Sequence, residues 1–482
     1  MSNIGGVACH DHAALSKPFS CKSVDFGLTV SKPIPNNPAT ARPSFRLRGA
    51  IRVPADKSIS HRALILASLA QGTSRIRNLL ESEDVLSTMN AMRSLGARIE
   101  RGGADGCWQV TGFDPSIAAS PSVALDFGNS GTGARLTMGM VAGLGLEAVF
   151  TGDDSLSARP MERVLEPLRA LGVKAQSHEG CLPVRILAGP APAAGCSAIP
   201  IPSAQVKSAL LLAGLQADGV TEVIEPALSR NHSELMLAAF GADINSDILP
   251  DGRHRVRLHG PAHLKCTTID VPGDPSSAAF PMAAALCIPG SDITLKGVLM
   301  NPARTGFLQT ALRMGGRIDV LNPQRSGGED VADLRIRGSR LQGVDVDAAL
   351  APSMIDEYPA LAVLAAMARG TTRMNGIGEL RHKESDRIAR LEGLLRNAGI
   401  DVHSGPDWLC IEGTGSVWGG AMAQGAPVRT DGDHRIAMAA LVLGLVSFRK
   451  LHVDDPASIA TSYPGFAQDM RSLGARLELS PC

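Results

Sequence analysis

Two kinds of hydrophobic pattern alternate along the chain. One kind is an amphipathic segment that closes on a glycine, and it recurs as AMRSLGARIE, PLRALGVKAQ, MLAAFGADIN, ALRMGGRIDV, LLRNAGIDVH and DMRSLGARLE. Its glycines are spaced by about 69 to 84 residues: Gly96, Gly172, Gly241, Gly315, Gly399 and Gly474. Because glycine enters the left-handed conformation without a Cβ penalty, each copy predicts a helix that ends at a glycine and is followed by a strand.

The second kind of segment lies about 30 to 45 residues before each of those glycines. It starts with polar residues and continues in Ala, Leu, Met and Gly, as DKSISHRALILASLA, GNSGTGARLTMGMVAG, SAQVKSALLLAGL, DPSSAAFPMAAALCI, DEYPALAVLAAMA and DHRIAMAALVLGLVS. A helix that is apolar on all sides is buried, and the Asp, Ser and Asn residues before it supply N-caps. Stretches such as RHRVRLHG and DLRIRG predict strands in the intervals. The pattern therefore predicts an α/β (α+β) fold of six βαβαββ repeats.

Two related segments predict the domain organisation. IRVPADKS, residues 51–58, and IDVPGDPS, residues 269–276, lie three repeats apart. Two such crossings indicate two three-repeat domains joined by a double linker, residues 45–56 plus 275–482 and residues 57–274. Residues 1–44 are rich in Ser, Pro and Asn and predict a flexible N-terminal extension. If the six buried helices aim their N-termini at the cleft between the domains, their dipoles favour anions there.

Composition narrows the classes of partner and compartment. Basic and acidic residues balance at 47 each, so no global field attracts nucleic acid or an anionic membrane. The nine cysteines form no CxxC pair and no ligand spacing with histidine, which argues against a zinc site or a disulfide framework and for a reducing cytoplasm. The longest apolar run, Ile436–Val446, is well short of the roughly 20 residues that span a bilayer. The N-terminus lacks the pattern of a secretory signal.

Cations stand at helix starts, where the helix dipole favours acidic residues. They are Lys57, Arg62, Arg135, Arg159, Lys383, Arg387 and Arg435. A single arginine at such a place is usually a solvated or salt-bridged surface group, but its repetition along the chain favours an anion-binding array. Arginine binds phosphate and carboxylate bidentately, so the array suits a substrate that carries both. His61 receives no catalytic role, because a lone histidine is more often structural.

Two segments offer candidate acid–base groups. In LRHKESDRIARLEGLL, a helix would place Lys383 and Arg387 on one side with Glu384 beside them. A carboxylate among cations can exchange a proton once a substrate neutralises the surrounding charge, although an ordinary salt-bridged surface helix has the same pattern. In PSMIDEYPALAVLAAMA, Asp356 precedes an apolar helix and could be its N-cap or a base for a substrate hydroxyl.

Seven motifs taken together resemble one enzyme family. They are VPADKSISHR, DFGNSGTGARL, SLSARPM, PSAQVKSALLLAG, MIDEYPALA, KESDR and GDHRIAM, and they resemble 5-enolpyruvylshikimate-3-phosphate synthase, most closely the bacterial subgroup that includes glyphosate-tolerant enzymes. The resemblance runs from about Arg46 to the C-terminus. It implies a two-domain enolpyruvyl transferase fold with the active site in the interdomain cleft.

The resemblance also implies an activity. The enolpyruvyl group of phosphoenolpyruvate moves to the 5-hydroxyl of shikimate 3-phosphate, and phosphate is released, as the sixth of the seven steps of chorismate biosynthesis that lead to the aromatic amino acids. The expected protein is a cytoplasmic monomer without metal or cofactor, inhibited by glyphosate.

Site residues follow from the resemblance motif by motif. Shikimate 3-phosphate is expected to contact Lys57, Ser58, Arg62, Ser203, Ala204, Gln205, Ser229, Asp356 and Lys383. Phosphoenolpyruvate is expected to contact Lys57, Asn129, Gly131, Arg159, Gln205, Arg387 and Arg435. The implied catalytic residues are Asp356, which accepts the 5-hydroxyl proton, Glu384, which protonates the methylene carbon of phosphoenolpyruvate, and Lys57. Ala204 stands where the family has serine, so only a backbone contact is expected there.

Two further positions bear on the family pattern. Many relatives carry a lysine before the final aromatic-proline pair, whereas this chain has Thr461 and Ser462 in ATSYPGF, so a lysine contact to phosphoenolpyruvate is not expected there. Gly131 stands where tolerant relatives carry alanine, whose methyl group would crowd the inhibitor. We therefore expect ordinary sensitivity to glyphosate.

Two other functions were weighed against this one. UDP-N-acetylglucosamine 1-carboxyvinyltransferase shares the fold and the chemistry, but its family has a reactive cysteine before its ARP motif, and GDDSLSARP has none. Its KNA-type opening also differs from DKSISHR. A non-catalytic anion-binding protein would need the cations alone, and the presence of both Asp356 and Glu384 argues against it.

Overall fold

Each predicted repeat corresponds to a small sheet with its helices. The computed structural model describes residues 39–102, 106–113, 122–415, 427–447 and 450–479. Its strands are β1 (Ala39–Arg42), β2 (Arg48–Ile51), β3 (Thr73–Arg77), β4 (Arg98–Gly102), β5 (Cys107–Thr111), β6 (Val123–Asp126), β7 (Ala148–Thr151), β8 (Ala175–His178), β9 (Cys181–Ile186), β10 (Cys196–Ala198), β11 (Gly219–Glu225), β12 (Ile244–Ile248), β13 (His254–Gly260), β14 (Thr268–Asp270), β15 (Asp292–Leu299), β16 (Arg317–Ser326), β17 (Glu329–Arg337), β18 (Asp345–Val346), β19 (Arg369–Asn375), β20 (Asp401–Ser404), β21 (Trp408–Thr414), β22 (Leu451–Val453) and β23 (Arg476–Leu479).

The helices lie between these strands in a regular order. They are α1 (Lys57–Leu69), α2 (Glu83–Ser94), α3 (Gly131–Gly143), α4 (Asp154–Ser157), α5 (Glu162–Ala170), α6 (Ala204–Ala213), α7 (His232–Ala239), α8 (Pro275–Cys287), α9 (Gly306–Arg313), α10 (Ala351–Met354), α11 (Tyr358–Met367), α12 (Arg387–Asn397), α13 (His434–Val446) and α14 (Phe466–Ser472). The six buried helices predicted from the sequence are α1, α3, α6, α8, α11 and α13, and in each of them most residues are buried.

The sheets repeat one topology. The described residues form five four-stranded sheets and one three-stranded sheet. In the sheet ordered β6-β7-β9-β8, β6 and β7 are parallel while β9 runs antiparallel to both of its neighbours. A parallel pair needs a crossover connection, here α3, whereas the antiparallel pair is joined by a tight turn. Each of the five four-stranded sheets therefore has the strand pairing of a βαβαββ unit. In the sixth sheet, β22-β1-β23, the central strand β1 comes from the start of the described chain and is antiparallel to both neighbours. The number of sheets agrees with the six predicted repeats, and the last one is completed by a segment distant in sequence.

The chain crosses between sheets at the two related segments. β2, which precedes α1, pairs in parallel with β15, and β14, which precedes α8, pairs in parallel with β3. Between the crossings, Ala55 bridges to Gly273, and the backbone N–H groups of Asp56 and Asp274 donate to Pro272 and Pro54 at 2.7 and 2.8 Å. The two segments therefore exchange their first strands and lie side by side at the exchange.

Four residues that the sequence assigned to the flexible N-terminal extension belong to a strand. Residues 39–42 belong to the predicted extension 1–44, yet they form β1 between β22 and β23. Ala39 and Ala41 are buried there. Four residues with two small apolar side chains give too weak a local signal to predict a strand, and the pairing with distant strands provides the missing stabilisation. Residues 1–38 of the predicted extension lie outside the described part of the chain.

Buried apolar side chains form two clusters. One contains residues of α8, α11 and α13 together with β1 and β2, and the other contains residues of α1, α3 and α6. Close helix packing explains the glycines inside these helices: a Cβ at Gly139 of α3 would lie 2.0 Å from the carbonyl oxygen of Ala209 in α6. The boundaries proposed from the sequence, 45–56 plus 275–482 and 57–274, run between the two clusters apart from Leu299, and they remain a proposal.

The six repeat glycines have the conformation that the sequence predicted. Each follows the last residues of an amphipathic helix, and each has a positive φ, between 76° and 105°. In this region a residue with a Cβ is strained, so the helix ends are set by the glycines themselves. Among the described helices, none combines the length and apolar composition needed to cross a membrane.

Candidate active site

All six buried helices begin at one cavity of about 950 Å³. Residues at each of these six helix starts line it: Asp56, Lys57 and Ser58 at α1, Gly131 and Thr132 at α3, Ser203, Ala204 and Gln205 at α6, Asp274 and Ser276 at α8, Asp356 before α11, and His434 and Arg435 at α13. Each helix start carries unpaired backbone N–H groups and a partial positive charge, so the cavity favours anions before any side chain is counted.

Acidic and hydroxyl side chains cap five of these helices. Asp56 accepts from the N–H of Ile59 at 2.8 Å, Asp274 from that of Ser276 at 2.9 Å and Asp433 from that of Arg435 at 2.9 Å. Ser130 and Ser203 cap α3 and α6. The acidic residues that a helix dipole favours are thus present at three starts, one position before the helix.

Lys57 has an acidic partner within the protein. Its ammonium group forms an ion pair with Asp84 of α2, which is largely buried. Burial opposes ionisation of Asp84, but the charge of Lys57 outweighs it and lowers the pKa of that carboxyl. Lys57 is therefore held in place by one carboxylate and remains partly exposed for a second anion.

Three arginines form a group that we call the arginine cluster: Arg135, Arg159 and Arg163. All three line the cavity, and within the described chain none of them forms a salt bridge with a carboxylate. Arg135 donates to the side-chain oxygen of Gln205 at 3.0 Å and to the carbonyl of Pro160 at 3.1 Å. Burial, together with Arg163 and Arg159, lowers the pKa of Arg135 to about 10. The cluster therefore has positive charge that no described carboxylate compensates.

Neutral side chains hold this cluster in place. Arg159 donates to the side-chain oxygen of Asn129 at 2.8 Å, and Asn129 donates in turn to Asp153 at 2.8 Å. Gln205 accepts from Arg135 and donates to the hydroxyl of Thr132 at 2.9 Å. A Cβ at Gly131 would lie 3.0 Å from Nη1 of Arg135 and 3.5 Å from Nη1 of Arg159. The absence of a side chain at Gly131 thus leaves room between the two guanidinium groups.

A second group, the carboxylate cluster, has its charges paired: Asp356, Lys383, Glu384, Arg387 and Asp433. Arg387 is fully buried at its centre and donates to Glu384 at 2.6 Å, to Asp433 at 2.8 Å and to Asp356 at 3.3 Å. Asp356 lies 3.7 Å from Nζ of Lys383. One guanidinium thus holds both carboxylates that the sequence singled out.

Asp356 also receives cations from elsewhere in the chain. It accepts from Arg230 at 2.7 Å, and its backbone carbonyl accepts from Arg435 at 3.2 Å. Burial opposes its ionisation, but Lys383, Arg435 and Arg230 together hold the pKa of Asp356 well below its usual range. Asp356 is therefore ionised next to these cations.

Glu384 has the same balance of effects. Burial would raise its pKa, yet the charge of Arg387 above all holds the pKa of Glu384 below its usual range. Arg159 of the arginine cluster contributes in the same direction, which places the two clusters within electrostatic reach of one another. A ligand that binds these cations would weaken their hold and raise the pKa of Glu384.

The predicted helix through KESDR is wrong. A 3-10 turn covers Gly378–His382, Lys383 and Glu384 lie in a bend, and α12 starts only at Arg387 with Asp386 as its N-cap. The i, i+4 relation of Lys383 and Arg387 is therefore not a helical one. Asp386 accepts from the N–H of Ala389 at 3.0 Å, and this cap competes with a longer helix. The three side chains still meet, through Arg387 and Asp356.

Asp356 is not an N-cap. α11 begins at Tyr358, the preceding Glu357 makes no side-chain cap, and the carboxylate of Asp356 faces Arg230, Lys383 and Arg387 instead. Of the two roles left open by the sequence, the N-cap is therefore excluded, and the role as a base for a substrate hydroxyl stays a prediction.

The structure brings most of the predicted site residues to the cavity. Those that line it are Lys57, Ser58, Asn129, Gly131, Arg159, Ser203, Ala204, Gln205, Ser229, Asp356, Lys383, Glu384 and Arg435. Arg62 and Arg387 lie outside the lining. Arg62 donates to Ser233 at 2.7 Å, to Ser208 at 2.8 Å and to the carbonyl of Ser58 at 3.0 Å. Thr461 and Ser462 are likewise not among the lining residues, and the hydroxyl of Ser462 is buried.

Sequence reasoning missed several charged residues of the site. Asp84, Arg230 and Arg304 line the cavity, and Asp433 holds Arg387. Arg230 follows the predicted Ser229, and Asp433 belongs to the motif GDHRIAM two residues before Arg435, so their neighbours gave a signal that was not followed. Asp84 has the sequence context of any acidic residue at a helix start. Over the described part of the chain, no three His, Cys, Asp or Glu side chains are grouped so that they could hold a metal ion.

Comparison with known proteins agrees with this geometry. The chain is 51% identical over 445 residues to the 3-phosphoshikimate 1-carboxyvinyltransferase of Rhizobium johnstonii, covering 92% of this chain and 98% of the relative. It is 53% identical over 437 residues to the same-named protein of Parvibaculum lavamentivorans, covering 90% and 96%. The EPSP synthase of Acinetobacter baumannii superposes with a TM-score of 0.81 at 38% identity, covering 92% of this chain and 100% of that one.

The fold and the cavity together are those of a two-domain enolpyruvyl transferase. The model of one family, EPSP synthase (3-phosphoshikimate 1-carboxyvinyltransferase), matches residues 41–470. The chain belongs to the EPSP synthase family. It is accordingly a transferase of the shikimate pathway, which moves the enolpyruvyl group of phosphoenolpyruvate to the 5-hydroxyl of shikimate 3-phosphate and releases phosphate.

Proposed function

We propose that this cavity binds both substrates and that Glu384 and Asp356 carry the proton transfers of the reaction. The observation that carries the proposal is the position of Arg387, which donates to Glu384 at 2.6 Å and to Asp356 at 3.3 Å. Two carboxylates held by one buried cation, at a cavity lined by further cations, provide an acid and a base beside an anion-binding site.

Shikimate 3-phosphate is proposed to bind at the starts of α1 and α6. The residues assigned to it are Lys57, Ser58, Arg62, Ser203, Ala204, Gln205, Ser229, Asp356 and Lys383. The hydroxyl of Ser229 is buried and has no hydrogen-bond partner among the described residues, which supports a contact with a phosphate oxygen. Arg62 supports this subsite from behind, through its hydrogen bond to the carbonyl of Ser58.

Phosphoenolpyruvate is proposed to bind at the arginine cluster and beside Arg387. The residues assigned to it are Lys57, Asn129, Gly131, Arg159, Gln205, Arg387 and Arg435. Phosphate and carboxylate together carry about three negative charges, which the uncompensated cations of this part of the cavity can bind bidentately. Glyphosate, an anion with the same kinds of group, is proposed to bind here with ordinary affinity, because Gly131 leaves the space beside Arg159 open.

The proton transfers follow from the charges. Before phosphoenolpyruvate binds, Glu384 is ionised and cannot donate a proton, because Arg387 stabilises its charge. Bound phosphoenolpyruvate draws Arg387 and Arg159 away from Glu384, so the pKa of Glu384 rises and the residue can take up a proton. Glu384 then protonates the methylene carbon, while Asp356 accepts the proton of the attacking 5-hydroxyl.

The second half of the reaction reverses one of these transfers. Attack of the 5-hydroxyl oxygen on C2 gives a tetrahedral intermediate that carries both a methyl group and the phosphate. Glu384 removes a proton from that methyl group, the double bond forms again, the C–O bond to phosphate breaks, and the leaving phosphate takes up the proton that Asp356 accepted from the 5-hydroxyl. The fixed cations around the cavity stabilise the charge that develops at C2 and on the leaving phosphate without having to reorganise.

The direct test follows phosphate release from phosphoenolpyruvate. Purified protein with shikimate 3-phosphate and phosphoenolpyruvate is expected to release phosphate in step with loss of both substrates, and to release none when either is left out. UDP-N-acetylglucosamine in place of shikimate 3-phosphate is the control for the related transferase and should give no release. Release with the nucleotide sugar alone would contradict the assignment of the acceptor.

We also propose a cytoplasmic location and a monomeric state. The cysteines of the described chain are free thiols, which fits a reducing compartment. The monomeric state is what the family resemblance implies. Light scattering of the purified protein tests the state, and a molar mass near twice 50.2 kDa would contradict it.

A further inference from the structure

Arg304 lies where the two crossing segments of the chain meet. It is buried, with 2% of its surface exposed, at the end of the 3-10 turn Pro302–Arg304. Neither the hydrophobic pattern nor the motifs quoted above point to it. Its guanidinium group nevertheless has three acidic neighbours, Asp56, Asp274 and Glu357. No substrate contact is proposed for Arg304, although it lines the cavity.

One guanidinium joins the caps of two helices. Nη1 donates to Asp56 at 2.7 Å, and Nη2 donates to Asp274 at 2.9 Å and to the hydroxyl of Ser276 at 3.0 Å. Asp56 is the N-cap of α1, and Asp274 is the N-cap of α8. α1 and α8 each follow one of the two crossing segments, and their buried side chains belong to different apolar clusters. Arg304 therefore fixes the start of α1 relative to the start of α8.

The same group reaches the neighbour of the proposed base. Glu357 accepts a hydrogen bond from the hydroxyl of Ser276, and it lies 3.9 Å from Nη2 of Arg304. Asp356 is the residue before Glu357, just as Lys57 is the residue after Asp56. Each of these two catalytic candidates is thus one peptide away from a carboxylate that Arg304 contacts.

The cation is needed for charge balance as well. Asp56, Asp274 and Glu357 are all buried, and burial, followed by the charge of Asp56, raises the pKa of Asp274. His232 lies 3.3 Å from Nη1 of Arg304 and is bonded through its other nitrogen to Glu329 at 2.7 Å. A lysine at position 304 would keep the charge but could not present two parallel donors to two caps.

We infer that Arg304 is a positioning residue for the reaction, which through Asp56 and Glu357 holds Lys57 and Asp356 at a fixed separation. The inference rests on the proposed roles of those two residues. It predicts that Arg304 acts only through its bonded partners and does not itself contact substrate.

Two substitutions test this: the first keeps the buried cation, and the second removes the buried carboxylate of Asp56 but keeps the helix cap. Arg304→Lys keeps the cation, and Asp56→Ser keeps an N-cap for α1 because serine is among the best capping residues. Each is expected to lower kcat by about two orders of magnitude, the cost of a misplacement of about 1 Å at the reacting groups. The double variant should lose little more than either single one, because both break the same contact.

Controls separate positioning from general loss of stability. Val256 is buried in β13 and does not line the cavity, so Val256→Ala serves as a destabilised variant with an intact cavity. Assays run well below every melting temperature should leave its kcat unchanged. Arg304→Lys with wild-type kcat, or a double variant whose losses in kcat multiply, would overturn the inference while the wild type continues to turn over the substrate pair.

A second readout does not depend on turnover. Acetylation of lysines by a limiting reagent, followed by mass spectrometry, compares the reactivity of Lys57 with that of exposed Lys296 and Lys174 in the same sample. Arg304→Lys should raise the relative reactivity of Lys57 severalfold, because a displaced α1 start weakens the ion pair with Asp84. Unchanged labelling of Lys57 in Arg304→Lys would overturn the inference, whether or not the wild type is active. A wild type that releases no phosphate would contradict the proposed function and not the inference about Arg304.

Discussion

The arginine cluster lines the same cavity as Asp356, Lys383 and Glu384 of the carboxylate cluster, but the two clusters differ in how their charges are paired. Arg135, Arg159 and Arg163 have no carboxylate partner among the described residues, whereas Arg387 is surrounded by three. Like charges held together cost stability, so an uncompensated group persists where a ligand supplies the missing anion. The paired group is stable without a ligand and instead controls how its carboxylates ionise. The difference teaches that one cluster is built for binding and the other for proton transfer.

The largest expected effect is the loss of acid–base function in the carboxylate cluster. Glu384→Gln keeps the size of the side chain and a hydrogen bond to Arg387 but cannot exchange a proton. We expect kcat to fall by roughly 10²- to 10⁴-fold, while the binding of shikimate 3-phosphate is retained. Steady-state kinetics and calorimetry measure the two effects. Glu392→Gln on the same stretch of chain is the matched control, and equal turnover in both variants would remove Glu384 from the mechanism.

The next effect separates the clusters by stability. Arg387→Met leaves Asp433 and Glu384 without their buried partner, so we expect about 3 to 5 kcal/mol of destabilisation. Removal of Arg159 should cost much less stability, because Arg159 forms no ion pair with a described carboxylate and acts on Glu384 only at a distance. Thermal melts of Arg387→Met and Arg159→Met give the comparison. Equal melting temperatures for the two variants would mean that the clusters do not differ in the way described.

Binding should show the reverse order. Arg159→Met removes charge-assisted hydrogen bonds to the proposed phosphoenolpyruvate subsite, worth about 1.5 to 3 kcal/mol. KM for phosphoenolpyruvate should therefore rise by roughly 10- to 100-fold, with a much smaller change in KM for shikimate 3-phosphate. A rise in KM for both substrates alike would indicate that Arg159 supports the cavity in general and not one subsite.

A smaller effect is expected from filling the space between the guanidinium groups of Arg135 and Arg159. Gly131→Ala places a methyl group 3.0 Å from Arg135, closer than most Cβ atoms tolerate, so the arginine cluster must shift. Overpacking of this kind costs about 1 to 3 kcal/mol, and we expect the inhibition constant for glyphosate to rise by roughly tenfold. Gly393→Ala, where a Cβ would meet nothing within 4 Å, is the control. An inhibition constant in the millimolar range for the wild type would contradict its expected sensitivity.

The smallest effect concerns the exposed member of the arginine cluster. Arg163 lies on the surface at the start of α5 and contributes mainly a long-range field. Arg163→Gln should lower kcat/KM about two- to threefold at low ionic strength, and the difference should vanish at high salt, where the field is screened. A difference that persists at high salt would mean that Arg163 contacts the substrate directly.

The repeat architecture could be predicted because its signals are local. Each repeat glycine, such as Gly96 or Gly474, ends a helix whatever surrounds it, since only glycine enters that conformation without strain. The resemblance of seven motifs then located the helix starts and most of the cavity lining. Asp84 and Arg304 could not be found in this way, because each looks like an ordinary charged residue until a distant segment packs against it.

Local pattern also failed where two signals competed. The i, i+4 spacing of Lys383 and Arg387 predicted one helix, but Asp386 caps α12, which starts only at Arg387. Strand β1 escaped prediction because four residues gain stability only from β22 and β23, far away in sequence. In both cases the deciding interaction was one that hydrophobic period and charge spacing do not report.

By itself, the sequence determined the six repeats, the buried helices and the cations at their starts, because periodicity, glycine conformation and helix capping act within a few residues. Only the tertiary structure decided which charges are paired and which are left for a ligand. That choice depends on distances between segments up to hundreds of residues apart, as with Arg304, Asp56 and Asp274, and on the burial that makes such distances matter.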